Sequence, residues 1–281
     1  MNQSKSINVN IDDKLLTIDV FRKHNIPINL ESDSINIFAS GPSVANIDFN
    51  DSITSLPSMF VNGSLSLLNK HPFSNVIAYV ISDERFINNN PEILKQHYTG
   101  QPLYITQPVL EAIKVDLPNI INQYHHAIRV IYPVDRPLMN HKSSLLNSLP
   151  LISKVINKKL SLLEFKDHPD FVIDSSNYPK PIGVSLNVEH GFVEAGTVAF
   201  VAAQLAFTLG ASEINLYGID LINSNQPRFY ESNDNVAPCK LDKAVTERIV
   251  PSFDLLAKEY KKHKVGIINH SPISKALFND L

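Results

Sequence analysis

The sequence predicts a Rossmann-like, doubly wound α/β fold, a mostly parallel sheet with helices on both faces. Three observations carry this. Short apolar runs of strand length alternate with helix-length segments along most of the chain. Three successive runs, 34–39, 58–62 and 76–82, each end in a polar cluster: Ser40-Gly41-Pro42-Ser43, Asn62-Gly63-Ser64 and Ser82-Asp83. Finally, 198–209 has helical periodicity (Val198, Val201, Ala202, Leu205, Leu209), closes at Gly210 and leads into the apolar run 213–221. The whole is expected to be one domain carrying an inserted lid.

Each element follows in order. Residues 1–34 form a polar N-terminal extension with one short helix around 14–23. The run 34–39 is a strand, and SGPS after it reads as a loop entering a helical start at 44–47. Gly41 admits a close ligand, Pro42 suits a first helical turn, and Ser43 offers a hydroxyl. Taken alone, this tetrapeptide is equally well a plain capped turn. Strands at 58–62 and 76–82 are followed by strands at 103–106 and 127–132, with a helix near 107–113 between them. Residues 35–132 thus make the first α/β half. The segment 133–182 is rich in proline, carries a helical pattern only around 145–163, and reads as a lid or acceptor region or as a decorative insertion. The second half, 183–281, contains the helix 198–209, the strand 213–221, a polar loop 223–240 and two helical segments, 241–249 and 251–262, interrupted at Pro251. A last strand at 265–268 ends in Asn269-His270-Ser271, which opens a final helix.

Composition bounds the function. The 281 residues carry a net charge of −3, which argues against a general nucleic-acid binder. The single Cys239 excludes an internal disulfide and a cysteine-based zinc site, and points to a reducing, cytoplasmic setting. No run reaches the roughly 18 apolar residues of a membrane span, and the first residues lack a signal-peptide core. Basic residues between Lys240 and Lys264 read as a solvated face, with peripheral inner-membrane contact and homo-oligomerisation left open.

The motifs narrow the chemistry. GxGxxG, GxxxxGK, GxSxG and HExxH are all absent, which removes support for dinucleotide, P-loop, serine-hydrolase and zinc chemistry. His125 and His126 read as structural or surface groups. What remains is a nucleotide or nucleotide-sugar site built from backbone amides, hydroxyls and one or two carboxylates. Glu189-His190-Gly191 and Gly196-Thr197 precede the central helix, whose N-terminus favours an anion. Gly218 and Asp220 lie at the end of the following strand, where open α/β sheets bind ligands. Arg228 and Tyr230, in the polar loop, are placed to reach a phosphate or to stand in solvent.

Together SGPS, FVNGS, the stretch GTVAFVAAQLAFTLGASEINLYGIDL and NHSPIS resemble a bacterial family of transferases. It comprises lipooligosaccharide sialyltransferases and lipopolysaccharide-core proteins, including a transferase of 3-deoxy-manno-octulosonic acid (Kdo). The archaeal-type 6-hydroxymethylpterin diphosphokinase domain shares the GTV-helix-strand-GxD pattern. The resemblance covers roughly 35–100 and 190–280. It implies a GT-A-like single nucleotide-binding domain in which Gly41, Pro42, Ser43 and Asn62 hold the CMP part of a donor, with Ser82 or Asp83 at the third strand end; Ser64, beside Asn62 at the second strand end, is expected to join them. It further implies nucleotide contacts from Gly196, Thr197, Gly218, Ile219, His270, Ser271 and Ser274, to which the loop residues Arg228 and Tyr230 are added as phosphate contacts. The family's general-base histidine falls where this chain reads CKLDKA, so His190 or Asp220 is expected as the base. The resulting expectation is a cytoplasmic glycosyltransferase taking a CMP-activated sugar acid to a lipopolysaccharide or other glycan acceptor, with no cofactor. Two alternatives stand: a magnesium-dependent pyrophosphokinase with the metal on Asp83 and Asp220, or a glycan-assembly protein without activity.

Overall fold

The computed structural model describes residues 6–25, 34–138, 159–221, 228–231 and 242–281. Strands β1 (Ser6–Ile11), β2 (Lys14–Val20), β3 (Ser34–Phe38), β4 (Ser58–Val61), β5 (Val76–Ile81), β6 (Leu103–Ile105), β7 (Ile128–Val130), β10 (Glu213–Tyr217) and β11 (Gly266–Asn269) form one sheet. Its order is β1-β2-β7-β6-β5-β4-β3-β10-β11, and every pairing except β1 with β2 is parallel. From β3 the chain moves to β4 on one side, whereas β10 lies against β3 on the other. The strand order therefore reverses between β3 and β10, which makes their C-terminal ends the ligand crevice of such a sheet.

Strand alternation sorts the core into two layers. Ile35 and Ile37 of β3, Met59 of β4 and Val80 of β5 point to one face, Phe38, Phe60, Tyr79 and Ile81 to the other. Helix α6 (Val198–Leu209) and helix α7 (Val250–Lys262) cover the first face. Helices α2 (Glu84–Asn89), α3 (Pro91–His97), α4 (Gln107–Asp116) and α5 (Pro118–Tyr124) cover the second, along with the shorter α1 (Asp51–Thr54). α6 is buried on nearly its whole circumference, as a helix sandwiched between a sheet and another helix must be. Gly210 caps it in the left-handed conformation, φ 103°.

The polar residues of α6 hold the loop that precedes it. Gln204 is wholly buried. Its Oε1 accepts from Ser185 N (2.9 Å) and Val193 N (3.0 Å), and its Nε2 donates to Val193 O (2.9 Å) and Phe200 O (3.1 Å). One turn on, Thr208 Oγ1 accepts from Val188 N (2.9 Å) and donates to Gln204 O (3.0 Å). The segment 185–193 is thereby fixed at both ends of its course.

The structure corrects several expectations. Residues 14–20 are a strand, because Asp12 and Asp13 take positive φ (47° and 63°) and turn the chain into a hairpin. That hairpin is the edge of the main sheet, β2 pairing with β7, so residues 6–20 are part of the same body. Pro251 does not interrupt its helix: Asp242–Ala244, the π-helical Val245–Ile249 and α7 run on without a break. The wide π turn just before the proline accommodates the ring and its missing N–H. Only a 3-10 turn, Lys275–Leu277, follows β11, and 62–69 is likewise 3-10. Of the segment 133–182, residues 139–158 lie outside the described residues, as do Cys239 and most of 223–240. The remainder forms a separate antiparallel pair, β8 (Phe171–Asp174) with β9 (Ile182–Ser185).

Replacing Gln204 with Leu leaves the Ser185 and Val193 amides without acceptors in the core. Urea unfolding should show a loss of about 3 kcal/mol; a loss under about 1 kcal/mol would mean the loop is held by other contacts.

Candidate functional site

The turns after β3 and β10 are built into each other. Ala39 N donates to Tyr217 O (2.8 Å) and Gly41 N to Gly218 O (3.0 Å). The approach is so close that a Cβ on Gly41 would sit 2.4 Å from Asp220 Oδ2 and 2.6 Å from Gly218 O. Asp220 then fills the loop itself: Oδ2 accepts from Ser43 N (2.7 Å) and Oδ1 from Ser43 Oγ (2.8 Å). Within the loop expected to receive a ligand, the Ser43 amide and hydroxyl are thus engaged by the protein's own carboxylate. On the far side, Ser271 Oγ accepts from Ile219 N (2.7 Å) and Ser274 Oγ donates to Ile219 O. Both serines are buried, and they lock the Gly218-Ile219-Asp220 turn.

A second group gathers at the ends of β3 and β4. Asn62 has a left-handed backbone, φ 51°, and its buried Oδ1 has no hydrogen-bond partner among the described residues. Its carbonyl accepts from Tyr79 Oη (2.9 Å). Tyr230 lies flat against Gly63, where a Cβ would come 2.0 Å from its ring. Burial pushes the Tyr230 hydroxyl above its ordinary pKa, against the opposing pull of Arg228; Ser40 and Arg228 both hydrogen-bond it. Arg228 Nη1 also pairs with Glu231 Oε1 (2.6 Å). Burial works against the guanidinium charge, yet Tyr230 and Glu231 raise its pKa overall. Ser64 Oγ, fully buried, donates to Phe38 O (2.6 Å) and accepts from Val61 N (2.8 Å), so its role is to tie β3 to β4.

At the end of β5, Asp83 caps α2 by accepting from Arg85 N (3.0 Å). The Arg85 side chain, hydrogen-bonded to it, holds this carboxyl below the usual range. Asp83 and Asp220 end strands three spacings apart, roughly 14 Å. They are not brought together to share one magnesium, whose ligands stand about 2 Å from the ion. Among the described residues no group of three His, Cys, Asp or Glu is disposed to hold a metal.

Gly196 (φ 87°) and Thr197 form the entry to α6, with Thr197 Oγ1 accepting from Ala199 N (3.4 Å). Because α6 leads into β10, its N-terminus points to the same C-terminal edge of the sheet.

His190 stands further along that edge. Phe192 N donates to Tyr132 O (2.9 Å) and Val134 N to Phe192 O (2.8 Å), so this loop continues the sheet beyond β7. Gly191 (φ 113°) permits it: a Cβ there would be 2.9 Å from Val134 Cα. His190 is half exposed, and its Nδ1 lies 2.5 Å from Asp170 Oδ2. Phe192, two residues on, pairs with the extension of β7, which stands two strands from β5 and five from β10 in the sheet order. His190 and Asp220 are therefore separate features. His270, at the end of β11, stacks on Tyr217 (4.6 Å) with Nε2 2.6 Å from Asn215 Oδ1. Burial, assisted by Lys275 and opposed by Glu213, lowers its pKa.

The sequence reading missed Asp170, Gln204 and Tyr79. None has a motif of its own; only the fold brings them to the site.

The model of the family described as 3-deoxy-D-manno-octulosonic acid transferase WaaZ matches residues 23–275. The chain belongs to this family. A probable 3-deoxy-manno-octulosonic acid transferase of Escherichia coli K12 is 24% identical over 246 residues, covering 87% of this chain and 80% of the relative. Its Salmonella typhimurium counterpart is 26% identical over 203 residues, covering 70% and 68%. Solved structures with a similar course include sialyltransferase CST-II with a trisaccharide acceptor and CMP, at 13% identity and TM-score 0.41, covering 88% and 86%. Another is the monofunctional α-2,3-sialyltransferase Cst-I of Campylobacter jejuni, at 14% identity and TM-score 0.38, covering 97% and 87%. Family membership bears out the transferase side of the resemblance.

Asp220→Ala removes the acceptor of two Ser43 hydrogen bonds in a partly buried turn. Chemical denaturation should show a loss of about 2 kcal/mol; a variant as stable as the parent would show that the turn holds without it.

Proposed function

We propose that this chain transfers Kdo from a CMP-activated donor to a lipopolysaccharide acceptor. The observation that carries the reading is membership of the Kdo transferase family over residues 23–275. The site supports it: the crevice where the strand order reverses is lined by groups suited to a nucleoside monophosphate. In this reading Asn62 Oδ1, which has no partner among the described residues, accepts from the base, and Arg228, held by Glu231, meets the phosphate. The N-terminus of α6, twelve residues long, adds the anion preference of the helix dipole. Asp220 keeps the SGPS loop in shape and takes no proton.

In the transfer step the acceptor hydroxyl gives its proton to Nε2 of His190. Its oxygen bonds to the anomeric carbon of Kdo as the bond from that carbon to the phosphate oxygen breaks. The bonding pair leaves on CMP, whose phosphate charge Arg228 and the α6 dipole stabilise.

The test is CMP release from CMP-Kdo in the presence of a delipidated lipopolysaccharide core. Acceptor-dependent release is expected, and His190→Ala should lower it on the order of 10²- to 10⁴-fold with the thermal midpoint retained. No release above spontaneous donor hydrolysis, or full activity in the variant, would overturn the reading.

A further inference from the structure

The segment between β7 and β9 carries a group that the transfer chemistry leaves unexplained. Asp170 lies just before β8, and its backbone is fixed by Leu186 N, which donates to Asp170 O (2.7 Å). Its carboxylate points at the imidazole of His190, Oδ2 to Nδ1 at 2.5 Å. His190 is held independently. Its N–H donates to Asn187 O (3.1 Å), and the preceding residue is gripped by Tyr132 Oη and Arg22, which both donate to Glu189 O (2.8 and 3.1 Å). Two separately anchored stretches of backbone therefore bring an acid and an imidazole into register across 20 residues of sequence.

A carboxylate accepts and does not donate, so the nitrogen facing Asp170 carries the hydrogen. Nδ1–H is then consumed, and Nε2 is left with its lone pair. This tautomer is the one that lets an imidazole take a proton at Nε2, and the carboxylate also stabilises the imidazolium that results. The surroundings are consistent with that division. His168 has its ring centroid 5.7 Å from that of His190, and its Nδ1 accepts from Asp170 N (3.2 Å) while lying 3.9 Å from the same Oδ2. The other charged groups nearby are engaged elsewhere: the Glu189 carboxylate accepts from Lys23 N, and Arg22 is bound to the Glu189 carbonyl. The contrast with His270 is instructive. Its partner is Asn215, whose Nδ2 donates to Glu213 Oε1 (3.2 Å), so an amide without charge faces the ring. Of these two rings, His190 is the one with a carboxylate at hydrogen-bond distance.

We propose that Asp170 is a positioning residue for His190, fixing its Nδ1–H tautomer so that Nε2 receives the proton of the acceptor hydroxyl. The inference rests on the transferase reading above. It gives the segment after β7 a definite part in the reaction: the β8–β9 hairpin brings in the acid that orients the base.

Two measurements on the full chain test it. In steady-state CMP release from CMP-Kdo, Asp170→Ala should lower kcat on the order of 100-fold with the donor KM within twofold. Asp170→Asn, which keeps an acceptor but not the charge, should fall between Ala and the parent. Independently of turnover, ¹⁵N–¹H correlation of the histidine rings, with His190 assigned through His190→Gln, should show Nδ1–H when the ring is neutral, and Nε2–H in Asp170→Ala. Unchanged kcat in Asp170→Ala, a loss confined to KM, or an Nε2–H tautomer in the parent would each overturn the proposal. A parent with the Nδ1–H tautomer but no CMP release would overturn the transferase reading while upholding the contact that fixes the ring.

Discussion

The organising interaction is the buried amide of Gln204. A polar side chain in the middle of an otherwise apolar helix is costly unless all its groups are paired, and here they are. The pairing sets where β9 ends and where residue 193 runs, so it fixes both ends of the loop bearing His190. With Thr208 one turn on, α6 works both as a core element and as a template for the loop in front of it. The sheet, α6 and the site loop thus cannot shift independently.

A second constraint acts at the crevice. Loops that follow β-strands and enter short helices expose amides that attract anions. In this chain the amide and hydroxyl of Ser43 are already satisfied by Asp220, from the neighbouring strand. The internal carboxylate holds the β3 and β10 turns in mutual contact, and that contact shapes the crevice floor. Arg228, paired with Glu231 and hydrogen-bonded to Tyr230, and Asn62 lie at the ends of the neighbouring strands. The Tyr230 ring, seated on Gly63, joins these groups to Ser40.

Much of the architecture was legible because it depends on local pattern. Strands buried on both faces read as apolar runs, and all seven strands expected from residue 34 on begin within one residue of their place. One of them, β10, stops short at Tyr217, where Gly218 turns the chain (φ 72°). The N-terminal hairpin was misread because its pattern gives little period, and its assignment comes from pairing with β7, over 100 residues away in sequence. Pro251 was misread because a π turn compensates for it, a device without a sequence signature. At the site, Ser43, Asn62 and Arg228 could be named from the chain, but their partners could not. Asp220 appeared to be a free acid and is a loop ligand; His190 appeared unsupported and has Asp170. Such partnerships arise from tertiary placement, and no spacing encodes them.

The central claim is that the C-terminal edge of the sheet at β3 to β5, facing the start of α6, binds a cytidine nucleotide through protein groups alone. Calorimetric titration of the full chain with CMP in EDTA tests this most directly. Saturable binding with one site per chain, unaltered by adding magnesium, is the expected result. Absence of heat with CMP, together with binding of ATP only when magnesium is present, would contradict the account.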